Sequence, residues 1–177
     1  MHVVAFNGSP RKNGNTARLV RHCLDTLESE GISTEMVQVG GTNIRGCCSC
    51  LSCRKKAVEV CAITSDPFNE WIEKMKNAEG IILASPVYMF GTTPEMKALI
   101  DRASFIARGR VRRGEQGSMF YRKVGGAISA VRRAGAIQAL QTMISMFAVT
   151  QMVVPMSNYW TFGMGEAPGA VSYTHLR

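Results

Sequence analysis

Five of the six cysteines of this chain lie in one short segment, between residues 47 and 61. Cys47, Cys50 and Cys53 are three residues apart, so a loop or a single helical turn can direct their sulfurs to one point. Cys61 lies further along the chain and can complete a set of four thiolates. Because cysteine thiolates in sets of four are the usual ligands of a [4Fe–4S] cluster, the spacing predicts such a cluster in this segment.

The cysteine segment also admits other interpretations. Four thiolates can hold Zn²⁺, although structural zinc sites usually use two separated C-x-x-C pairs rather than overlapping steps. The thiols could also carry out redox chemistry without a metal. Cys48 could replace Cys47 as a ligand, although Cys47 has the better spacing.

A second segment with chemical potential is the polar run GSPRKNGNT at residues 8–16. Its glycines allow positive φ, its hydroxyl and amide groups can donate hydrogen bonds, and a helix start directs free N–H groups at a bound anion. The run matches neither the G-x-G-x-x-G fingerprint nor the G-x-x-x-x-G-K-[ST] loop, so a terminal monophosphate is the better ligand. The alternative is an ordinary capped turn before a helix.

A third segment, SPVYMFGTT at residues 85–93, follows the most apolar stretch of the chain. Its aromatic and thioether side chains could lie against a flat ring while backbone groups reach the polar edge of that ring. Considered alone, such a turn is more often a packing feature than a cofactor site.

The elements that must position these segments alternate in type along the chain. The pattern predicts strands at residues 2–7, 36–39, 80–85, 124–130 and 152–156. It predicts helices at residues 16–29, 66–77, 93–108 and 134–148. This alternation is typical of a doubly wound α/β protein with a parallel sheet. Such sheets bind ligands at the carboxyl ends of their strands, so the loops after Asn7, Ser85 and Ala130 are the candidate sites.

Composition narrows the class of protein. With 177 residues, 46% hydrophobic and 19% charged, the chain suits one globular domain. The formal net charge of +8 comes from dispersed lysines and arginines, which favours an anionic cofactor or reductant over nucleic acid. The sequence contains neither a signal-peptide pattern nor a membrane-spanning apolar stretch. We therefore expect a cytoplasmic protein, in which clustered thiols bind metal or carry out redox chemistry.

Together, the two loops resemble those of the flavodoxin-like NAD(P)H-dependent FMN reductases. The matching residues are Gly8-Ser9-Pro10-Arg11, Gly14-Asn15-Thr16, Pro86-Val87-Tyr88 and Gly91. The cysteine spacing is similar to the compact motif of the iron–sulfur flavoproteins in that superfamily. The resemblance implies a five-stranded parallel sheet of order 2-1-3-4-5. It also implies one FMN-binding domain over residues 1–170, with a cysteine-rich insertion at residues 45–62.

The resemblance further implies three sets of binding residues. The FMN phosphate would be held by Ser9, Arg11, Asn13, Gly14, Asn15 and Thr16. The isoalloxazine would be lined by Pro86, Val87, Tyr88, Met89, Phe90 and Gly91. The cluster would be held by Cys47, Cys50, Cys53 and Cys61. A third loop, residues 131–135, matches the family only loosely and is not assigned, and no side chain is expected to act as a catalytic acid, base or nucleophile.

The leading functional hypothesis is an FMN oxidoreductase that couples two-electron to one-electron transfer through a [4Fe–4S] cluster. NAD(P)H or a ferredoxin-like protein would reduce it, and the resemblance implies a homodimer or homotetramer. One alternative is a cluster-free FMN or quinone reductase, and another is a non-enzymatic electron carrier or redox sensor.

The end of the chain is unlike the rest. Residues 171–177 continue no helical or strand pattern, and we expect them to be a non-native tail. A helix should follow the fifth strand of such a fold, and none is visible, so we expect the C-terminal helix to be missing.

Overall fold

A parallel sheet of five strands forms the centre of the protein, in the order β2-β1-β3-β4-β5. The computed structural model describes residues 1–156, 162–167 and 169–170. The strands are β1 (His2–Asn7), β2 (Ser33–Gln38), β3 (Gly80–Pro86), β4 (Val124–Val131) and β5 (Gly163–Met164). The predicted fold class and strand order are therefore confirmed.

The central strand β3 is apolar because both of its faces are covered. All of its residues before Pro86 are buried, as expected for a strand in the middle of a parallel sheet. It pairs with β1 on one side and with β4 on the other. The loops that follow β1, β3 and β4 therefore emerge side by side at one edge of the sheet.

The helices cover the two faces of the sheet unequally. They are α1 (Asn15–Ser29), α2 (Ser52–Lys55), α3 (Phe68–Asn77), α4 (Pro94–Ala107), α5 (Gly109–Arg112) and α6 (Ala136–Val149). Apolar residues of α3, α4 and α6 share one large core with the sheet, whereas α1 packs Val20 and Leu24 against the other face. Over the described ranges, every helix is too short or too polar to cross a membrane.

The fifth strand was predicted in the wrong place. Among residues 152–156 only Val153 pairs with the sheet, through an isolated parallel bridge to Val124. The edge strand is formed instead by Gly163–Met164, which pairs with Ala130 and Val131. Pro155 explains the early end, because proline has no N–H group with which to continue a ladder.

Three expectations about the end of the chain depend on residues outside the described ranges. Residues 171–177 are among those that the structure does not describe, so the non-native tail stays a prediction. The absence of a final helix and the domain bounds at residues 1–170 stay predictions for the same reason.

Candidate functional site

Two of the three candidate loops are tied together where they leave the sheet. The hydroxyl of Thr93 donates to the carbonyl of Gly8 over 2.8 Å, joining the loop after β3 to the loop after β1. The amide of Gly8 donates to Ala84 O at 2.7 Å, and the amide of Thr93 donates to Ser85 Oγ at 3.0 Å. Since Thr93 and Ser85 are fully buried, the relative position of the loops is set by the interior of the protein.

The loop after β1 is folded by its own polar side chains. Asn7 Oδ1 accepts from the amide of Ser9 at 3.1 Å, and Ser9 Oγ accepts from the amide of Arg11 at 3.2 Å. Gly14 precedes the first turn of α1, and no described side chain caps that turn. The free N–H groups of the helix start therefore face the loop and remain available for an anion.

A cleft of about 420 Å³ lies between the loops. Its lining includes Ser9, Arg11, Gly14, Asn15 and Thr16 from the first loop and Pro86, Val87 and Tyr88 from the second. The structure thus gathers most of the residues predicted for the phosphate and the ring around one space. Asn13 lies outside it, where its Oδ1 atom accepts from Arg21 Nη2 at 2.8 Å.

The tip of the second loop is a tight two-residue turn. The backbone groups of Tyr88 and Gly91 bond to each other in both directions at 2.9 Å, so Gly91 closes the turn rather than lining the cleft. Met89 and Phe90 adopt left-handed conformations with φ of 43° and 63°, which are costly for residues other than glycine. Both line a second cleft of about 390 Å³, together with Arg132 and Arg133.

The end of β4 and the loop that follows it also reach the first cleft, although their residues were not assigned from the sequence. Ala130, Val131 and Arg132 line it, as do Gly165 and Glu166 beyond β5. Arg132 forms an ion pair with Glu166 across the mouth. The strand-end position of the β4 loop was the available signal, whereas nothing in the sequence indicated the segment after β5.

The side chain of Asn15 holds that segment in place. Its Nδ2 atom donates to Ala167 O at 3.1 Å, and its Oδ1 atom accepts from the amide of Gly169 at 2.8 Å. Asn15 therefore contributes to the cleft both by its position at the helix start and by fixing the segment that forms one wall.

The cysteine segment lies at a different place, between β2 and α3. Cys47, Cys48 and Cys50 are exposed, whereas Cys53 and Cys61 are half-buried. All five line one small cavity, whose far wall is formed by Arg102, Phe105 and Ile106 of α4. Left-handed residues at Ser49 and Leu51 bend the chain before the short helix α2. The five thiols thus line one cavity, and their role as cluster ligands stays a prediction.

The thiols surround this cavity without meeting at a point. Within the part of the chain that the structure describes, no three His, Cys, Asp or Glu side chains converge on a site for one metal ion. The cavity measures about 20 Å³, close to the space of one water molecule, so an iron–sulfur cluster requires the exposed thiols to move outward.

The donor set around the cavity nevertheless fits an iron–sulfur cluster. It consists of thiols, with no carboxylate or imidazole in the lining. The buried Nε atom of Arg102, which belongs to the same lining, has no hydrogen-bond partner among the described residues.

The pKa values of two thiols in the segment, Cys53 and Cys50, are shifted in opposite directions. Burial raises the pKa of the Cys53 thiol, and its neighbours Cys61 and Cys50 raise it further. The pKa of Cys50 is lowered, chiefly by a hydrogen bond from the backbone of Ser52. Cys50 therefore forms a thiolate more readily than Cys53.

Similar proteins are found both by sequence and by structure. An iron–sulfur flavoprotein of Methanocaldococcus jannaschii is 36% identical over 176 residues, covering 96% of this chain and 86% of the relative. A solved Trp repressor binding protein from Bacillus subtilis superposes with a TM-score of 0.64 at 19% identity, covering 94% of this chain and 89% of that one. A flavodoxin from the domain Archaea superposes with a TM-score of 0.59 at 12% identity, covering 94% and 85%.

A family model described as NADPH-dependent FMN reductase matches residues 1–167, which include all three candidate loops and the cysteine segment. The chain therefore belongs to the NADPH-dependent FMN reductase family, whose members are oxidoreductases, and it has the flavodoxin-like fold.

Proposed function

We propose that this protein binds FMN in the cleft of about 420 Å³ and exchanges electrons between the flavin and a [4Fe–4S] cluster held by the cysteine segment. One observation supports the FMN part of this proposal: the loop after β1, which can bind an anion, and the aromatic loop after β3 line the same cleft. The cluster half is supported by the common cavity of the thiols and by the name of the Methanocaldococcus relative.

The phosphate end of the cleft is formed by the start of α1. The free N–H groups of that helix carry the positive end of its dipole, and Ser9 and Thr16 add hydroxyl groups. Arg11 adds a positive charge at the rim, where its exposed side chain can pair with a phosphate.

The end of the cleft that would hold the flavin ring is formed by the last residues of β3 and β4 and by the loop after β3. Pro86, Val87 and Tyr88 give one apolar wall, and Val131 gives another. Apolar walls exclude water from a bound ring, while backbone groups of the same loops can orient its polar edge. When bound, FMN would supply the chemistry of accepting a hydride as an electron pair and releasing electrons singly, and a [4Fe–4S] cluster would supply one-electron transfer.

Four cysteines of the segment would hold the cluster. We assign Cys47, Cys50, Cys53 and Cys61 as ligands, with Cys48 as the alternative to Cys47. Phe105 and Ile106 form an apolar wall behind the thiols, which limits solvent access on that side.

The second cleft is the proposed approach for the reductant. Arg132 and Arg133 lie there beside the exposed Met89 and Phe90, so a positive charge and an apolar surface are both available. NAD(P)H, which combines phosphates with flat rings, suits this surface, and a ferredoxin-like donor is the alternative. The proposal also includes a cytoplasmic location and a homodimer or homotetramer. Light scattering on the purified protein would test the oligomeric state.

Anaerobic purification followed by absorption spectroscopy and by iron and acid-labile sulfide analysis tests the two halves separately. We expect flavin bands, extractable FMN, and iron with sulfide. Protein without flavin after incubation with FMN would contradict the first half, and flavin-loaded protein without iron or sulfide would contradict the second.

A matched pair of cysteine variants sharpens this test. Cys53→Ser removes a proposed ligand and should abolish most of the iron content while FMN is retained. Cys23→Ser, which changes a thiol on α1, away from the segment, should leave both unchanged.

A cluster-free FMN or quinone reductase is the second candidate. The lowered pKa of the exposed Cys50 favours it, because a thiolate at the surface can carry out disulfide chemistry without a metal. It predicts full NAD(P)H oxidation activity in a Cys53→Ser variant that holds FMN. A third reading, a pure electron carrier, predicts almost no direct turnover with NAD(P)H.

A further inference from the structure

Arg102 is the most deeply buried charged side chain near the cysteine segment. It lies on α4, is 1% exposed, and is among the largest fully buried side chains of the described residues. Burial of a charge is costly unless the charge is paired and hydrogen-bonded, so a residue of this kind must have specific partners.

The partners of Arg102 flank the cysteine segment on both sides. Its Nη1 atom donates to Arg45 O at 3.0 Å, before the first cysteine, and its Nη2 atom donates to Ile63 O at 3.2 Å, after the last. Nη1 also donates to Asp66 Oδ2 at 2.5 Å, and that oxygen accepts from the amide of Arg45 at 3.0 Å. One guanidinium therefore holds together the two ends of the loop that carries all five thiols.

The guanidinium is also held in orientation from the other side. Its carbon atom lies 4.0 Å from the centre of the Phe68 ring, in a cation–π contact. With its partners on both loop ends and this aromatic face, Arg102 has little freedom to rotate.

One N–H donor of the Arg102 guanidinium has no hydrogen-bond acceptor. This donor is the Nε atom, which is buried and has no hydrogen-bond partner among the described residues. Arg102 lines the same cavity as the cysteines, and its guanidinium lies close enough to the Cys61 thiol for an electrostatic interaction with that sulfur. A buried N–H group without an acceptor destabilises the folded protein, so a donor of this kind is expected to have a partner in the functional protein.

We propose that Arg102 is a positioning residue for the iron–sulfur cluster, which closes the base of the cysteine loop and donates its Nε–H to a sulfur of the bound cluster. This inference rests on the cluster half of the proposed function. A hydrogen bond to a cluster sulfur and a nearby positive charge both stabilise the more negative, reduced cluster, so Arg102 raises the reduction potential.

Two substitutions of Arg102 separate its charge from its geometry. Arg102→Lys keeps the charge but cannot reach both carbonyl groups and the cavity at once, whereas Arg102→Gln removes the charge as well. Lys97→Gln is the control, because it removes a positive charge from the exposed side of the same helix, where Lys97 pairs with Asp101.

The readouts are the midpoint potential of the cluster in an anaerobic redox titration and the equilibrium retention of iron against a chelator. FMN content and far-ultraviolet circular dichroism check the fold of each variant. We expect Arg102→Gln to lower the potential and to weaken iron retention about 10- to 100-fold, the usual range for groups that support a metal ligand. Arg102→Lys should lie between that variant and the wild type, and Lys97→Gln should match the wild type.

The outcomes distinguish this inference from the proposed function. A wild-type protein that holds FMN but no iron or sulfide after anaerobic reconstitution overturns the cluster and the role of Arg102 together. A wild-type protein with a cluster, and Arg102 variants with unchanged potential and iron retention, overturns the role of Arg102 alone. If Arg102→Gln fails to fold, Arg102→Lys decides by the same two measurements.

Discussion

At the scale of single residues, chemistry depends on which polar groups remain available after folding. Asn13 and Arg11 come from the same polar run, yet Arg11 lines the cleft while Asn13 accepts from Arg21. Asp66 was expected only to start a helix, and its Oδ1 atom does accept from the amide of Phe68 at 3.2 Å. Its other oxygen pairs with Arg102, which gives Asp66 a second role beneath the cysteine loop.

The different positions of Arg11 and Asn13 lead to a prediction for FMN binding. Arg11→Ala should weaken FMN affinity about 10- to 100-fold, because a hydrogen bond to a charged group contributes about 1.5–3 kcal/mol. Asn13→Ala should leave the dissociation constant unchanged. Titration of the FMN-free protein with FMN, followed by flavin fluorescence, measures both, and equal effects of the two variants would contradict the proposed phosphate site.

The buried pair of Asp66 and Arg102 leads to a prediction for stability. Both side chains are at most 2% exposed, so Asp66→Asn leaves the Arg102 charge uncompensated and should lower the free energy of unfolding by about 3–5 kcal/mol. Asp101→Asn, which breaks an exposed pair with Lys97, should cost no more than about 1 kcal/mol. Urea unfolding at neutral pH measures both values, and similar losses in the two variants would contradict the assignment.

The same carboxyl group predicts how stability depends on pH. Burial acts to raise the pKa of Asp66, but hydrogen bonds from Arg102, Arg45 and Phe68 outweigh it and lower the pKa below its usual value. Its contribution is therefore complete above about pH 4, the unfolded value, and is lost as the pH falls through the lower folded value. The free energy of unfolding of the wild type should fall more steeply below pH 4 than that of Asp66→Asn. Equal slopes of this free energy against pH in the two proteins would exclude the contribution.

At the scale of elements, the start of α4 connects the two cofactor loops. Thr93 caps this helix by accepting from the amide of Met96, and the same hydroxyl donates to Gly8 O. One side chain thus stabilises a helix and fixes the loop after β1 relative to the loop after β3.

Removal of the Thr93 hydroxyl should therefore affect stability and cofactor binding together. We expect Thr93→Ala to lower the free energy of unfolding by about 1–2 kcal/mol, the usual cost of a lost helix cap, and also to weaken FMN binding. Thr93→Ser keeps the hydroxyl and should retain FMN affinity. Thermal unfolding and FMN titration of both variants provide the test, and normal FMN affinity in Thr93→Ala would mean that the loops are positioned independently.

At the scale of the whole molecule, basic residues outnumber acidic ones, with 21 lysines and arginines against 13 aspartates and glutamates. The net charge of +8 attracts an anionic reductant from solution, and Arg133 at the second cleft adds a local positive charge to that attraction.

This charge predicts a dependence of the reaction on salt. The value of kcat/KM for NADPH should fall as ionic strength rises from about 0.01 to 0.5 M, because the Debye length shrinks over that range. Arg133→Gln should reduce both the value at low salt and the slope, whereas Lys12→Gln, on the loop after β1, should change the slope less. Steady-state NADPH oxidation measures these effects, and a rate that does not change with salt would exclude electrostatic steering.

The sequence by itself determined the alternation of strands and helices, the strand order through a family resemblance, and the segments that carry chemistry. These features depend on local properties, namely apolar periodicity, turn-forming residues and the spacing of thiols. Tertiary structure alone decided that residues after β5 form one wall of the cleft, that Asn13 lies outside it, and that Arg102 closes the cysteine loop. The first and the last depend on contacts between residues far apart in the chain, Asn15 with Gly169 and Arg102 with Arg45, and the sequence near either partner carries no signal for such contacts. The position of Asn13 depends on the direction in which its side chain meets Arg21 of α1, which the spacing of the two residues does not reveal.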